Sequence, residues 1–131
     1  MLRIAIAGAN GRMGRTLVET VTRNPALKLG AASVLPDDPA LGQDIGMLSG
    51  LGVIGIVTVA DLGKVHDQFD LLIDFTSPAA TMNHLQLCAD HGKALVIGTT
   101  GLGDDQKQKV AKAGERIKVV FAPSMSVGVN P

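Results

Sequence analysis

Short apolar runs alternate with longer segments of mixed polarity along this chain. Residues 2–7 form a short run, apolar but for Arg3, that closes at Gly8, too short for a helix and suited to a strand covered on both faces. From Met13 the period changes: Met13, Leu17 and Val21 recur every four residues until Asn24-Pro25, which predicts an amphipathic helix of about three turns. Residues 27–35 are again mostly apolar and close at Pro36-Asp37-Asp38-Pro39, a second strand and its turn. Strand, helix and strand within about thirty residues make one parallel crossover unit.

The stretch 36–52 is rich in Gly, Pro and Asp without a sustained period, so it is expected to be a loop with a short helical turn. Residues 53–59 return to β-branched side chains and predict a third strand, with a short connecting helix over 60–68. A strand over 70–76 ends at Asp74-Phe75-Thr76. Ser77-Pro78 then starts a helix that runs to His91 and stops at Gly92, because Ser caps free amides and Pro at the first helical position has none to leave unsatisfied. A strand over 94–98, a helix over 104–116 with acids first and bases later, and a strand over 117–122 complete the pattern. The alternation predicts an α/β fold of the Rossmann type, a doubly wound parallel sheet of about six strands, as a single domain over residues 1–131.

Composition narrows the functions open to such a fold. Twelve Lys and Arg balance twelve Asp and Glu, so no polyanion-binding surface is implied, and with no Trp, no Tyr and three Phe the chain lacks stacking platforms for single-stranded nucleic acid. Nucleic acid is not an expected partner. No apolar run reaches the roughly 20 residues of a membrane span. The single Cys88 cannot form an internal disulfide and the N-terminus lacks a signal-type apolar region, which gives the expectation of a reducing, cytoplasmic setting.

Chemistry concentrates at Gly8-Ala9-Asn10-Gly11-Arg12-Met13-Gly14, between the first strand and the first helix. Glycines there permit a tight turn and let a pyrophosphate approach the backbone, while the amides and dipole of the helix start attract its charge; Arg12 adds a possible ionic contact. The spacing G-x-x-G-x-x-G is one residue longer at its start than the usual dinucleotide fingerprint, and a turn needing glycine for packing alone is the alternative. The acidic residue expected about 20 positions on, for the adenosine ribose, is absent: Val34 stands there, followed by Leu35. Asp37 and Asp38 come just after the strand, within reach of a ribose or merely serving the turn. With no carboxylate to repel a 2′-phosphate and no Arg to attract one, NADH and NADPH are expected to bind within about tenfold of each other, about 1.4 kcal/mol.

Gly98-Thr99-Thr100-Gly101 and Ala122-Pro123-Ser124-Met125 follow strands at the ends where open α/β sheets bind ligands, and are expected to line the same crevice. His66, His84 and His91 have no metal-ligand or triad spacing and are taken as surface or packing residues. Cys88 is expected as a small buried hydrophobe, and Lys107, Lys109, Lys112 and Arg116 as a solvated helix face. Neither a catalytic acid, base or nucleophile nor a metal site is assigned.

Four segments in order, Ile6 to Gly14, Ile73-Asp74-Phe75-Thr76, Val96 to Gly101 and Ser126-Val127-Gly128-Val129-Asn130, resemble the bacterial 4-hydroxy-tetrahydrodipicolinate reductase (dihydrodipicolinate reductase) family. The resemblance covers the whole chain but only the cofactor-binding part of that family. It implies that Gly8, Ala9, Asn10, Gly11, Arg12 and Met13 hold the pyrophosphate of NADH or NADPH, and that Gly98, Thr99, Thr100, Ala122, Pro123, Ser124 and Met125 flank the nicotinamide. It further implies a parent enzyme, a homotetramer, that reduces a cyclic imine of the diaminopimelate route to lysine. Its substrate domain, with a His-His and Lys motif, would follow a junction near 124–131, so the 131-residue chain alone is expected to bind cofactor without turnover. Val34 stands where family members often carry an acid at the ribose and Leu35 where some carry an Arg, and Ser124-Met125 replaces the usual Asn-Phe or Asn-Met. Other readings are the first domain of a different NAD(P)-dependent dehydrogenase and a non-catalytic nucleotide-binding module.

Overall fold

The computed structural model describes residues 1–122, whose contacts fall into two compact units: Met1–Leu71, and a second beginning at Leu72. In the first unit strand β1 (Leu2–Ala7) leads into helix α1 (Arg12–Arg23) and strand β2 (Leu27–Ser33) pairs with β1 in parallel. Ile4, Ala5, Ile6 and Ala7 are all buried, as a strand covered on both faces requires. The register slips between Ile4 and Ala5, leaving Gly30 as the extra residue of β2. A Cβ on Gly30 would overlap the carbonyl of Gln68, so the bulge lets that segment close against the strand.

The apolar face of α1 differs from the expected one. Gly14, Val18 and Val21 are buried, whereas Met13 and Leu17 are half-buried. The cause lies at the helix start: Gly14 meets the backbone of Gly8 and Ala9, and that approach sets the rotation of the whole helix.

Five strands occur among the described residues, not six, because 53–59 is not a strand. Gly52 and Gly55 take positive φ of +79° and +86°, and the amides of Ile54 and Gly55 donate to the Asp44 carboxylate at 3.2 and 2.8 Å instead of to a ladder. Only the isolated bridges Ser33 to Val59 and Asp44 to Val57 remain. Asp44 also caps the short helix α2 (Ile45–Leu48) by accepting from Gly46 and Met47. Burial favours its neutral form, but these four backbone amides together outweigh that and hold its pKa below the usual value. The connecting helix expected over 60–68 is a 3-10 helix, Leu62–Gln68, broken at Val65.

The second unit holds β3 (Leu71–Asp74), α3 (Pro78–His91), β4 (Ala94–Ile97), α4 (Asp104–Ala113) and β5 (Val119–Phe121), with β4 central between β3 and β5. β4 and β5 are parallel, Leu95 opposite Val119 and Ile97 opposite Phe121. Helix α3 keeps its expected bounds: Ser77 Oγ accepts from Ala80 N, and Gly92 closes the helix at φ +65°. Helix α4 ends at Ala113 rather than 116, because Gly114, Glu115 and Arg116 tighten into a last turn in which Glu115 N and Arg116 N donate three residues back. Leu72, Leu85, Leu95 and Ile97 are buried, each contributing roughly 1.5–3 kcal/mol. No helix among the described residues is long and apolar enough to cross a membrane.

Candidate functional site

The glycine-rich turn closes β1 onto α1 with backbone bonds of its own. Gly8 sits at φ +74°, its carbonyl accepts from Gly11 N at 3.1 Å, and Ala9 N donates to Ser33 O at 2.9 Å. The glycines serve different needs. A Cβ on Gly14 would overlap the Gly8 carbonyl and crowd Ala9, so Gly14 is required by packing. A Cβ on Gly11 would meet only the Gly8 carbonyl, at an ordinary 3.5 Å, so packing does not require glycine there. Gly11 is also the N-cap of α1, and no side chain caps this helix. Its first amides and its dipole therefore face an exposed turn with room above it, a cradle that fits a pyrophosphate and that a larger side chain at Gly11 would fill. Arg12 is exposed at the edge of this turn and Met13 half-buried.

On the ribose side, Val34 is 5% exposed and its amide donates to Val59 O, which places it in the core; Leu35 is 69% exposed. The polar groups beside the turn are Asn10, Asp38 and Arg15. Asn10 Nδ2 donates to both Asp38 oxygens at 3.3 Å, and Asn10 Oδ1 accepts from Arg15 Nε at 3.1 Å and Nη2 at 2.6 Å.

In the second unit the turn after β4 is built on a buried polar network. Asp74, at the end of β3, is fully buried; its carboxylate accepts from Thr76 N and Thr76 Oγ1, and lies 2.8 Å from His84 Nδ1 on α3. Thr99 Oγ1 accepts from Thr76 N at 3.0 Å and from Thr81 Oγ1 at 2.8 Å. The Thr99 hydroxyl is thus committed to the protein, and Thr100, which is exposed, presents the turn's free hydroxyl face. Gly98 is packed under Phe75, where a Cβ would overlap the ring, and its amide donates to Asp74 O at 2.8 Å. Ala122 N donates to Ile97 O, continuing the β5 pairing; Pro123, Ser124 and Met125 lie outside the described residues.

His84 is therefore not a simple surface or packing residue. The signal available was Asp74 itself, a carboxylate at the end of an apolar strand that must find a donor if buried. Cys88 is buried as expected, and burial, reinforced by the charge of Asp74 and opposed by Lys93, pushes its thiol up to about 12. Lys107, Lys109, Lys112 and Arg116 are exposed. No cluster of three or more metal-ligating side chains exists among the described residues.

The chain is similar to proteins of known family. The chain is 55% identical over 130 residues to 4-hydroxy-tetrahydrodipicolinate reductase of Hahella chejuensis and 51% identical over 130 residues to that of Chromohalobacter salexigens, covering 99% of this chain each time. It spans about half of each relative, 49% and 48%. Its fold matches a dipicolinate-bound dihydrodipicolinate reductase from Paenisporosarcina sp. TG-14 with a TM-score of 0.76 and 28% identity, over 98% of this chain and 49% of that one. The family model for the N-terminus of dihydrodipicolinate reductase matches residues 2–125, and the chain belongs to that family.

Proposed function

We propose that the chain is the NAD(P)H-binding part of an enzyme that reduces 4-hydroxy-tetrahydrodipicolinate in the diaminopimelate route to lysine, working in the cytoplasm as a homotetramer. The relatives carry that activity in their names, and this chain spans about half of them. Gly8, Ala9, Asn10, Gly11, Arg12 and Met13 would hold the pyrophosphate. Gly98, Thr99, Thr100, Ala122, Pro123, Ser124 and Met125 serve the nicotinamide end in this reading. Bound nicotinamide would supply the hydride; the protein's own part is to orient it, with Thr100 offering a hydroxyl and the backbone beyond Gly98 offering polar groups. Substrate groups come from a further domain joined near 124–131.

The observation that carries the reading is the uncapped start of α1 beneath an open Gly11, next to a Gly14 whose close packing fixes the turn. Calorimetric titration of the 131-residue chain with NADH and NADPH, beside a reductase assay, tests it. Nucleotide binding without imine reduction is expected. Absence of binding, or turnover by this chain alone, would contradict it.

A further inference from the structure

At the position where dinucleotide sites of this kind place an acid against the adenosine ribose, this chain has a core valine, Val34. A different carboxylate is tied to the glycine-rich turn. Asp38 is half-buried, accepts from Ala40 N at 2.8 Å through Oδ1, and accepts from Asn10 Nδ2 at 3.3 Å through both oxygens. Asn10 belongs to the turn, and its own oxygen is gripped by Arg15 of α1. Arg15, Asn10 and Asp38 thus form a line of side chains from the helix, across the turn, to the loop after β2. A carboxylate has about four acceptor positions. The contacts described leave Oδ2 with one long bond, so it retains capacity for a hydroxyl donor.

Resting on the nucleotide reading above, we infer that Asp38 reads the adenosine ribose in place of the missing acid at Val34. It accepts from the 2′-hydroxyl, and its charge opposes a 2′-phosphate. Asn10 and Ala40 hold the side chain before any ligand arrives, so little ordering is left to binding. Arg15 bonds Asn10 rather than Asp38, so the carboxylate is not directly ion-paired with it. The consequence departs from the near-equal affinities that Val34 and Leu35 alone imply: the chain prefers NADH to NADPH by more than about tenfold.

The test titrates the 131-residue chain with NADH, NADPH and the 2′-deoxy analogue of NADH, and repeats the first two with Asp38→Asn and Asp38→Ser. Both variants keep an oxygen for the Ala40 amide and remove the charge. Wild type should favour NADH over NADPH more than tenfold and lose at least about tenfold with the 2′-deoxy analogue. Each variant should shrink the NADH preference at least tenfold, with an unchanged circular-dichroism spectrum. Wild-type affinities within tenfold for NADH and NADPH overturn the assignment without touching nucleotide binding, as does indifference to the 2′-hydroxyl or a preference that survives both substitutions. If wild type binds none of the three, the nucleotide reading fails and the role of Asp38 with it.

Discussion

Each unit contains a strand that ends in a tight turn and enters a helix, and the two treat the helix start in opposite ways. At β3 and α3 the polar groups are consumed internally: Ser77 caps Ala80 N, Pro78 has no amide to offer, and Thr76 N is shared between Asp74 and Thr99. At β1 and α1 no side chain caps the helix and the residue at the cap is Gly11. In the proposed reading, the passage at α1 serves an anion because its amides have been left unspent by any capping side chain, with glycine at the cap.

The largest loss of stability is expected at Asp74. Asp74→Ala should cost about 3–5 kcal/mol in urea unfolding, because it removes the buried carboxylate that pairs His84 Nδ1 and the amide and hydroxyl of Thr76. A loss under about 1 kcal/mol would mean that the network is incidental to the second unit. Next come the two turn glycines. Gly14→Val should destabilise by about 1–3 kcal/mol or more through overlap with Gly8, whereas Gly11→Val should cost no more than about 1 kcal/mol, from a poorer helix cap, and weaken nucleotide binding by about a hundredfold, ~2.7 kcal/mol. Equal thermal damage from both would assign the whole turn to packing.

Exchanging the caps sharpens the contrast at smaller amplitude. Ser77→Ala should cost about 1 kcal/mol, while Gly11→Ser, at an extended φ of −76°, should stabilise by only about a few tenths and reduce nucleotide affinity by occupying the amides. A gain in affinity from Gly11→Ser would show that those amides are not the anion site. The smallest effect concerns pH. Asp44 has a folded pKa below its unfolded value, so its contribution is present above about pH 4 and lost as pH falls through the folded pKa. Melting wild type and Asp44→Asn from pH 7 downward should show the wild-type advantage fading below about pH 4; a constant difference would count against the amide cage.

How much of this was legible in the sequence follows the range of each determinant. β1 and α3 were readable because their signals are local: an apolar run closed by Gly8, and Ser77-Pro78 with Gly92 at a helix's two ends. The segment 53–59 misled because its β-branched residues are local, while the capture of its amides by Asp44, ten and eleven residues earlier, is not. The rotation of α1 was missed for the same reason, since it is fixed by Gly14 against Gly8 rather than by the apolar period. At the site, residues 8–14 announced themselves by spacing. The bond from Asn10 to Asp38 spans 28 positions and that from His84 to Asp74 joins a helix to a strand end; neither leaves a periodic trace.

The chain's one thiol has a practical consequence. Cys88 has no exposed surface, and burial raises its pKa to about 12, which keeps it in the unreactive thiol form at neutral pH. The native protein is in effect a cysteine-free background. A reporter cysteine placed in an exposed loop, for instance at Asp37, would take a maleimide fluorophore alone and turn nucleotide arrival into an optical signal without prior removal of Cys88.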